Sequence, residues 1–229
     1  MELSLRLKTI VGLVDKCNCV ADIGTDHGYV PIELIKNNTC IKAIASDINK
    51  GPVKKASINI ISEDLQEQID CRLGAGLNTV KVGEAQGVII AGMGGNLIRD
   101  IIEEGLEVFK KCEFAILQPV QNPEVLREYI YKKGYNIIDE ELCIDENKFY
   151  EIIKIKYDNK VEKVDSIFYE VGKSLIDKKH PLAAQFIKFK ISTYNKILGN
   201  IKDDTKLAVD RKVDIKVRIQ KLEELLKCL

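Results

Sequence analysis

The sequence predicts an α/β fold, an open, doubly wound and mostly parallel sheet followed by a C-terminal helical coiled-coil domain. Three observations predict it. Five short apolar runs between residues 19 and 117 alternate with helical patterns, and such alternation builds parallel sheets through right-handed crossovers. Two strand-like stretches, 135–143 and 148–157, then follow in direct succession; they are close enough to be a hairpin, so one of them runs antiparallel. After Lys160 the strand pattern disappears and apolar residues recur at helical and heptad spacing. The expected domains are therefore 1–160 and 161–229.

The elements follow in order. Leu3, Leu7, Ile10, Val11 and Val14 mark an opening amphipathic helix. The first strand is Cys19 to Ile23, ended by Gly24, with a helix around 29–37 after it. The second runs from Ile41 to Ser46 and ends at Asp47; Gly51-Pro52 then starts a helix to about Ser62, with Pro52 suited to the first helical position. A third strand lies near Ile69–Leu73. Val88-Ile89-Ile90-Ala91 is the fourth, running into a glycine-rich loop, Gly92-Met93-Gly94-Gly95, and a helix to about Gly105. Phe114 to Leu117 is the fifth, stopped by Pro119, and a helix from Pro123 to Lys133 ends at Gly134. Ile144-Asp145-Glu146-Asn147 joins the final two strands.

In the last third, a helix from about 165 is expected to break at His180-Pro181. Ile187, Ile191, Tyr194 and Leu198 then form one seam; Ala208, Ile215, Leu222 and Leu229, with Ile219 and Leu226, form another. Gly199-Asn200 and Asp203-Asp204 make the turn of an antiparallel helical hairpin.

Composition narrows the function classes. Of 229 residues, 45% are hydrophobic and 31% charged, which excludes a disordered or fibrous chain. There is neither an apolar run of about 18 residues to span a bilayer nor a basic-then-apolar start, so the expectation is a cytoplasmic protein without membrane attachment. Seven cysteines form no C-x-x-C pair, and with only His27 and His180 beside them no zinc-ligand spacing exists. No metal is expected. The 35 basic and 35 acidic residues cancel overall. Residues 1–160 hold 20 basic against 25 acidic side chains and residues 161–229 hold 15 against 10, a basic appendage suited to steering an anionic partner or simply a solvated helical face.

Ligands bind such sheets outside the carboxyl ends of the strands, where strand order reverses. A dinucleotide-binding Rossmann domain usually has six parallel strands; seven with one reversed is the plan of class I methyltransferases that use S-adenosylmethionine. After the first strand comes Asp22-Ile23-Gly24-Thr25-Asp26-His27-Gly28, where Gly24 and Gly28 allow tight turning and close approach of a ligand. The loop is not G-x-G-x-x-G. Asp47 is placed to accept both hydroxyls of a ribose, or else to cap the next helix, a role Asn49 can also fill. Backbone N–H groups of Gly74-Ala75-Gly76-Leu77 are placed to meet an adenine edge. Gly92, Gly94 and Gly95 remove bulk where donor and acceptor must come within about 3–3.5 Å, and Met93 is either core packing or part of that pocket. Asp26 suits a donor's ammonium and Tyr29 a base face; His27 fits a binding role better than that of a general base.

With these residues in view, the chain resembles the bacterial tRNA adenine-22 N1-methyltransferases. The resemblance is carried by Leu5-Arg6-Leu7, Ala21 through Tyr29, Ala45-Ser46-Asp47-Ile48, Gly51-Pro52, Ala56 with Asn59, Arg72-Leu73-Gly74 with Gly76-Leu77, Ala91 through Gly95, Leu117-Gln118-Pro119 and Tyr150-Glu151-Ile152-Ile153. It implies a class I, Rossmann-like methyltransferase domain with a helical coiled-coil domain, S-adenosylmethionine as cofactor and tRNA as partner. By the resemblance Asp22, Gly24, His27 and Gly28 line the cofactor, Asp47 takes the ribose and Gly76 lies near the adenine. Gly92 joins this set, and Asp26, Tyr29 and Met93 are the catalytic candidates. Ala75 stands where the family often has an acidic residue, and Val120 follows Gln118-Pro119 where Asn is usual. Lysines of the helical hairpin are expected to grip phosphates, with Arg6 facing the site. The alternatives are the same scaffold acting on another RNA, a protein or a small molecule, a nicotinamide-dependent oxidoreductase, and a non-enzymatic RNA-binding scaffold.

Overall fold

The structure, a computed structural model, describes residues 2–203 and 205–229. Met1 of the expected start and Asp204 of the expected turn lie outside them. The chain forms two compact units, Met1–Lys163 and Val164–Leu229.

The first unit opens with α1 (Leu5–Gly12), capped by the Ser4 side chain, which accepts from the Leu7 N–H. There follow β1 (Cys17–Ile23), α2 (Tyr29–Lys36), β2 (Cys40–Asp47), α3 (Lys50–Ser62), β3 (Ile69–Leu73), a 3₁₀ turn (Gly76–Thr79), β4 (Gly87–Gly94), α4 (Gly95–Glu104), α5 (Leu106–Phe109), β5 (Phe114–Gln121), α6 (Pro123–Lys132), β6 (Tyr135–Asp145) and β7 (Lys148–Tyr157). They build one seven-stranded sheet in the order β3-β2-β1-β4-β5-β7-β6. Pairs β1/β2, β1/β4, β2/β3 and β4/β5 are parallel, and β7 runs antiparallel to both β5 and β6. Seven strands with one reversed, the expectation from the sequence, is the observed plan.

The near-continuous apolar runs have a physical reason. Alternate residues of a strand point to opposite faces, and both faces of this sheet are covered. Ala21, Ile23, Val88, Ile90, Ala115 and Leu117 enter one core cluster, while their neighbours Val20, Ile89, Phe114 and Ile116 enter the other. Only strands buried on both sides need apolar residues at every position.

Several boundaries differ from the expectation. The Gly92-Met93-Gly94 stretch is the end of β4, not a loop; it pairs irregularly with β5, Met93 opposite Pro119 and Gly94 opposite Gln121. Nor does Pro119 stop β5. Pairing of β7 to β5 covers only Ala115–Leu117, so on that side Pro119 has no ladder bond to lose. Pro52 is the third residue of α3 instead of the first, still among the positions whose N–H has no intrahelical partner. The final hairpin turns on two residues, Glu146 and Asn147 (φ 47° and 60°), the left-handed pair that a tight right-twisted hairpin needs.

The second unit has α7 (Ile167–Glu170), α8 (Lys173–Asp177), α9 (Ala183–Asn200) and α10 (Lys206–Leu226). The single helix expected from about 165 is two short ones, because the chain turns extended at Val171 and Gly172. Helices α9 and α10 pack on one another with Ile187, Ile215 and Leu222 buried, and Thr205 caps α10 through the Ala208 N–H. Tyr194, expected in the seam, donates its hydroxyl to the buried Glu170 carboxylate at 2.5 Å; Lys190 and Arg218 pair with the same group. Among the described residues no helix is long and apolar enough to cross a membrane.

Candidate active site

Strand order reverses between β1 and β4, and a cleft of about 360 Å³ opens beside their carboxyl ends. It is lined by Arg6, Leu7, Asp22, Gly24, Thr25, Asp26, His27, Gly28, Tyr29, Val30, Ala91 and Gly92. Eight of the residues singled out in the sequence therefore meet in one place: Arg6, Asp22, Gly24, Asp26, His27, Gly28, Tyr29 and Gly92. A larger cavity, about 630 Å³, lies among Lys42, Ile60, Gln68, Arg72 and Glu84. It draws mainly on the amino-terminal halves of β2 and β3, the wrong end of a parallel sheet for this kind of site, and its Arg72 is already held by Glu84 and Asp70.

The floor of the cleft is bare backbone. Gly24 has φ +81°, and a Cβ there would lie 1.9 Å from the Met93 terminal methyl. Both steric space and backbone conformation thus demand glycine. The turn is fixed by the N–H groups of Gly24 and Thr25, which donate to the Ser46 carbonyl at 2.8 Å. Beyond it, Gly28 (φ +70°) immediately precedes α2, and Asn59 of α3 donates to the His27 carbonyl at 2.9 Å.

Asp22, at the end of β1, is only 7% exposed. Burial pushes its carboxyl up to about 6, against a hydrogen bond from Thr25 and with a smaller push from the Asp47 charge. An acid so placed gains from a cationic partner. Further out, the His27 ring stacks on Tyr29, with centroids 4.9 Å apart and planes 20° from parallel. Its Nε2 lies 3.3 Å from the Asp26 carboxylate, and Lys55 approaches the same acid at 3.7 Å. The loop thus presents a flat aromatic pair bounded by an acid.

Three sequence candidates stand apart from this lining. Asp47 ends β2 and accepts from the Asn49 N–H at 2.7 Å, so it braces the entry to α3 while Asn49 holds the cap position without a side-chain cap bond. Gly76 opens the 3₁₀ turn after β3, with φ +48° and Ile101 behind it. Met93 packs its methyl over Gly24 and its side chain against the core. Core packing, one of the two readings of Met93 from the sequence, is what these contacts describe.

Sequence reasoning missed one polar junction. Gln118, fully buried, accepts at Oε1 from Arg6 Nη1 (3.0 Å) and from the Gly92 N–H (3.2 Å), while its Nε2 donates to the Pro119 carbonyl (2.9 Å). The Arg6 guanidinium also lies over the Tyr150 ring, 5.5 Å from its centroid, and the Arg6 N–H donates to Asp145. The signal available was a lone glutamine inside an otherwise apolar strand, Phe114 to Pro119.

Known proteins bear on the same site. Residues 3–153 match the family model described as a methyltransferase domain. The tRNA (adenine(22)-N(1))-methyltransferase of Bacillus subtilis is 36% identical over 172 residues, covering 75% of this chain and 72% of that protein. The crystal structure of the B. subtilis M1A22 tRNA methyltransferase TrmK superposes with a TM-score of 0.88 at 30% identity, covering 98% of this chain and 99% of that one. A Streptococcus pneumoniae putative tRNA (m1A22) methyltransferase in complex with S-adenosyl-L-methionine gives 0.87 at 29% identity, covering 98% and 100%. On its sequence, its sheet and its cleft, the chain belongs to the tRNA (adenine(22)-N(1))-methyltransferase family.

Proposed function

We propose that the protein transfers a methyl group from S-adenosyl-L-methionine to N1 of adenine 22 in tRNA, working in the cytoplasm. The observation that carries the reading is the cleft beside the ends of β1 and β4, where a buried acid and glycine-only backbone come together. Its residues fit such a donor. The volume suits a small-molecule site, for which about 300–1,000 Å³ is ordinary. Gly24 keeps open a path that a Cβ would fill, and Asp22 and Asp26 offer carboxylates to an ammonium. Asp47, at the end of the neighbouring strand, is the acceptor for a ribose, and the turn at Gly76 is the place for the adenine. When bound, the donor supplies a sulfonium methyl, an electrophile that needs no metal.

The chain's own work is orientation. Adenine N1 carries a lone pair and is neutral, so no residue has to remove a proton before attack; placing the reactants in line supplies most of the acceleration. Gly92 leaves the end of β4 without a side chain where the reactants meet. Tyr29 and His27 offer their stacked faces to a base that has left its helix, because the N1 edge is buried in a paired or stacked nucleotide. Asp26 limits that face and can accept from an amino group. The helical unit, with 15 basic against 10 acidic residues over 161–229, grips phosphates, so tRNA affinity falls steeply with salt.

The test is direct. The protein, unmodified tRNA and S-adenosylmethionine are incubated, the tRNA is digested, and the fragments are mapped by mass. N1-methyladenosine at position 22, lost when that nucleotide is changed to guanosine, is the expected result. Methylation elsewhere, or none, refutes the proposal.

A further inference from the structure

The cleft takes up the carboxyl ends of the strands; the opposite end of the sheet carries a pair of thiols. Cys17 and Cys40 are the first residues of β1 and β2 and stand directly opposite one another in the parallel register. Facing residues of adjacent strands point to the same face and lie about 4.8 Å apart, inside the roughly 4.4–6.8 Å between Cα atoms that a disulfide spans. Their sulfur atoms are 3.4 Å apart. The Cys17 S–H reaches the Cys19 carbonyl at 3.6 Å, which leaves the Cys17 lone pairs to accept from Cys40.

The two thiols are unequal. Cys40 is 4% exposed, whereas Cys17 is half-buried and lines a surface cavity of about 450 Å³ with Lys16, Asn38, Thr39, Gln86 and Glu113. The hydrogen bond from Cys40 holds the Cys17 thiol below the ordinary range, outweighing burial and the Glu113 and Asp15 charges. The same bond, with burial, pushes Cys40 up. Cys19, Cys71, Cys112 and Cys143 are all raised by burial. An accessible, more acidic thiol backed by a buried partner is the pairing of an attacking and a resolving cysteine.

We propose that Cys17 and Cys40 form a peroxide-reactive dithiol whose disulfide fastens β1 to β2. The Cys17 thiolate attacks one oxygen of hydrogen peroxide; the O–O bond breaks, and the departing hydroxide takes up the proton that Cys17 lost. Cys17 is then a sulfenic acid. Cys40 attacks the Cys17 sulfur, the S–O bond breaks, and the hydroxide leaves as water with the Cys40 proton. Two thiols and one peroxide thus give one disulfide and two waters, and a dithiol reductant reverses the bond. In a reducing compartment such bonds are transient and serve sensing. The closed ring, residues 17–40, encloses the turn from Gly24 to Gly28 and all of α2, so the bond restrains in the unfolded chain the segment that folds into the cleft loop.

The test treats the reduced full chain with hydrogen peroxide, blocks the remaining thiols by alkylation and maps the digest by mass. A Cys17–Cys40 link, two hydrogens lighter than the dithiol and released by dithiothreitol, is the expected product. The linked protein should melt about 5–10 °C higher than the reduced one. Cys19 shares its peptide with Cys17, so Cys19→Ser is the control and should link as the parent does. Cys40→Ser should stop at the sulfenic acid, trapped on Cys17 by a 1,3-diketone, and Cys17→Ser should give neither product; circular dichroism verifies that each variant is folded. A link between other cysteines overturns the proposal. So does a Cys17 that stays reduced or passes to the sulfinic acid without linking, and so does a linked protein that melts no higher than the reduced one.

Discussion

Replacing Asp22 by Asn should stabilise the free protein at neutral pH while weakening its hold on the donor. Asp22 is buried, and its carboxyl is pushed from 3.8 up to about 6. An acid whose pKa is higher folded than unfolded holds its proton more tightly in the native state, so its ionisation opposes folding. That opposition is complete above about pH 6 and gone below about pH 4, the reverse of a salt-bridged acid. A gap of that size is worth roughly 3 kcal/mol at pH 7, about half of that at pH 5 and only a small part of it at pH 4. Asn removes the ionisation and weakens the Thr25 hydrogen bond, which returns about 1 kcal/mol, so a net gain of about 1–2 kcal/mol is expected at pH 7. Urea unfolding of both proteins at pH 7, 5 and 4 reads the difference directly, since every other titrating group cancels between them. Titration with S-adenosylhomocysteine should show Asp22→Asn binding at least about tenfold more weakly at pH 7.5. A destabilised Asp22→Asn protein at pH 7, or a difference that does not narrow as the pH falls, refutes the reasoning.

Gly24→Ala should abolish donor binding in titration and lower stability by about 1–3 kcal/mol, because φ +81° and the Met93 methyl both exclude a Cβ; adding Met93→Ala should recover only part of the loss. Arg127→Met strands the buried Glu140 and Glu151 carboxylates, each 2.7 Å from the guanidinium, so denaturant unfolding should show a cost of about 3–5 kcal/mol. Glu170 is held below the usual carboxylate range because Lys190, Tyr194 and Arg218 outweigh its burial. Its stabilising effect is present above the unfolded value of 4.5 and is lost as the pH falls through the lower folded value; thermal unfolding of Glu170→Gln should accordingly differ from the parent most at neutral pH. Leu222→Ala, at a fully buried seam position of α10, should cost about 2–5 kcal/mol in the helical unit, read by circular dichroism on melting.

Much of this architecture was legible because burial on both faces writes itself into the sequence. Val88-Ile89-Ile90 and Ala115-Ile116-Leu117 have no polar side to hide, and their neighbours alternate between the two core clusters. The hairpin was legible from proximity, and the cleft loop from an acid followed by two glycines. What failed was punctuation. Pro119 and the glycines after Ala91 look like strand breakers, yet β5 and β4 run through them, because a strand end with a single partner can lose a ladder bond or take a bulge without penalty. The joint at Val171-Gly172 was invisible for the opposite reason: the flanking segments keep helical spacing on both sides of it. Arg6 and Gln118, 112 positions apart, meet only through the fold, so spacing held no trace of their bond.

These failures of pattern fall together in space. A glycine-rich strand end, a buried ionisable acid, a glutamine within an apolar strand and left-handed glycines at positions 24, 28 and 92 each break a local rule that the rest of the sheet obeys, and each touches the cleft or the junction behind it. Any one of them lowers the stability of the free protein, so their concentration at one point needs a compensating gain, and such gains belong to function. An electrophilic methyl and a neutral ring nitrogen ask little of acid–base chemistry and a great deal of close approach. The deviations suit that demand: backbone with nothing attached at the end of β4, a buried acid in the cleft, and an arginine held there by a neutral amide.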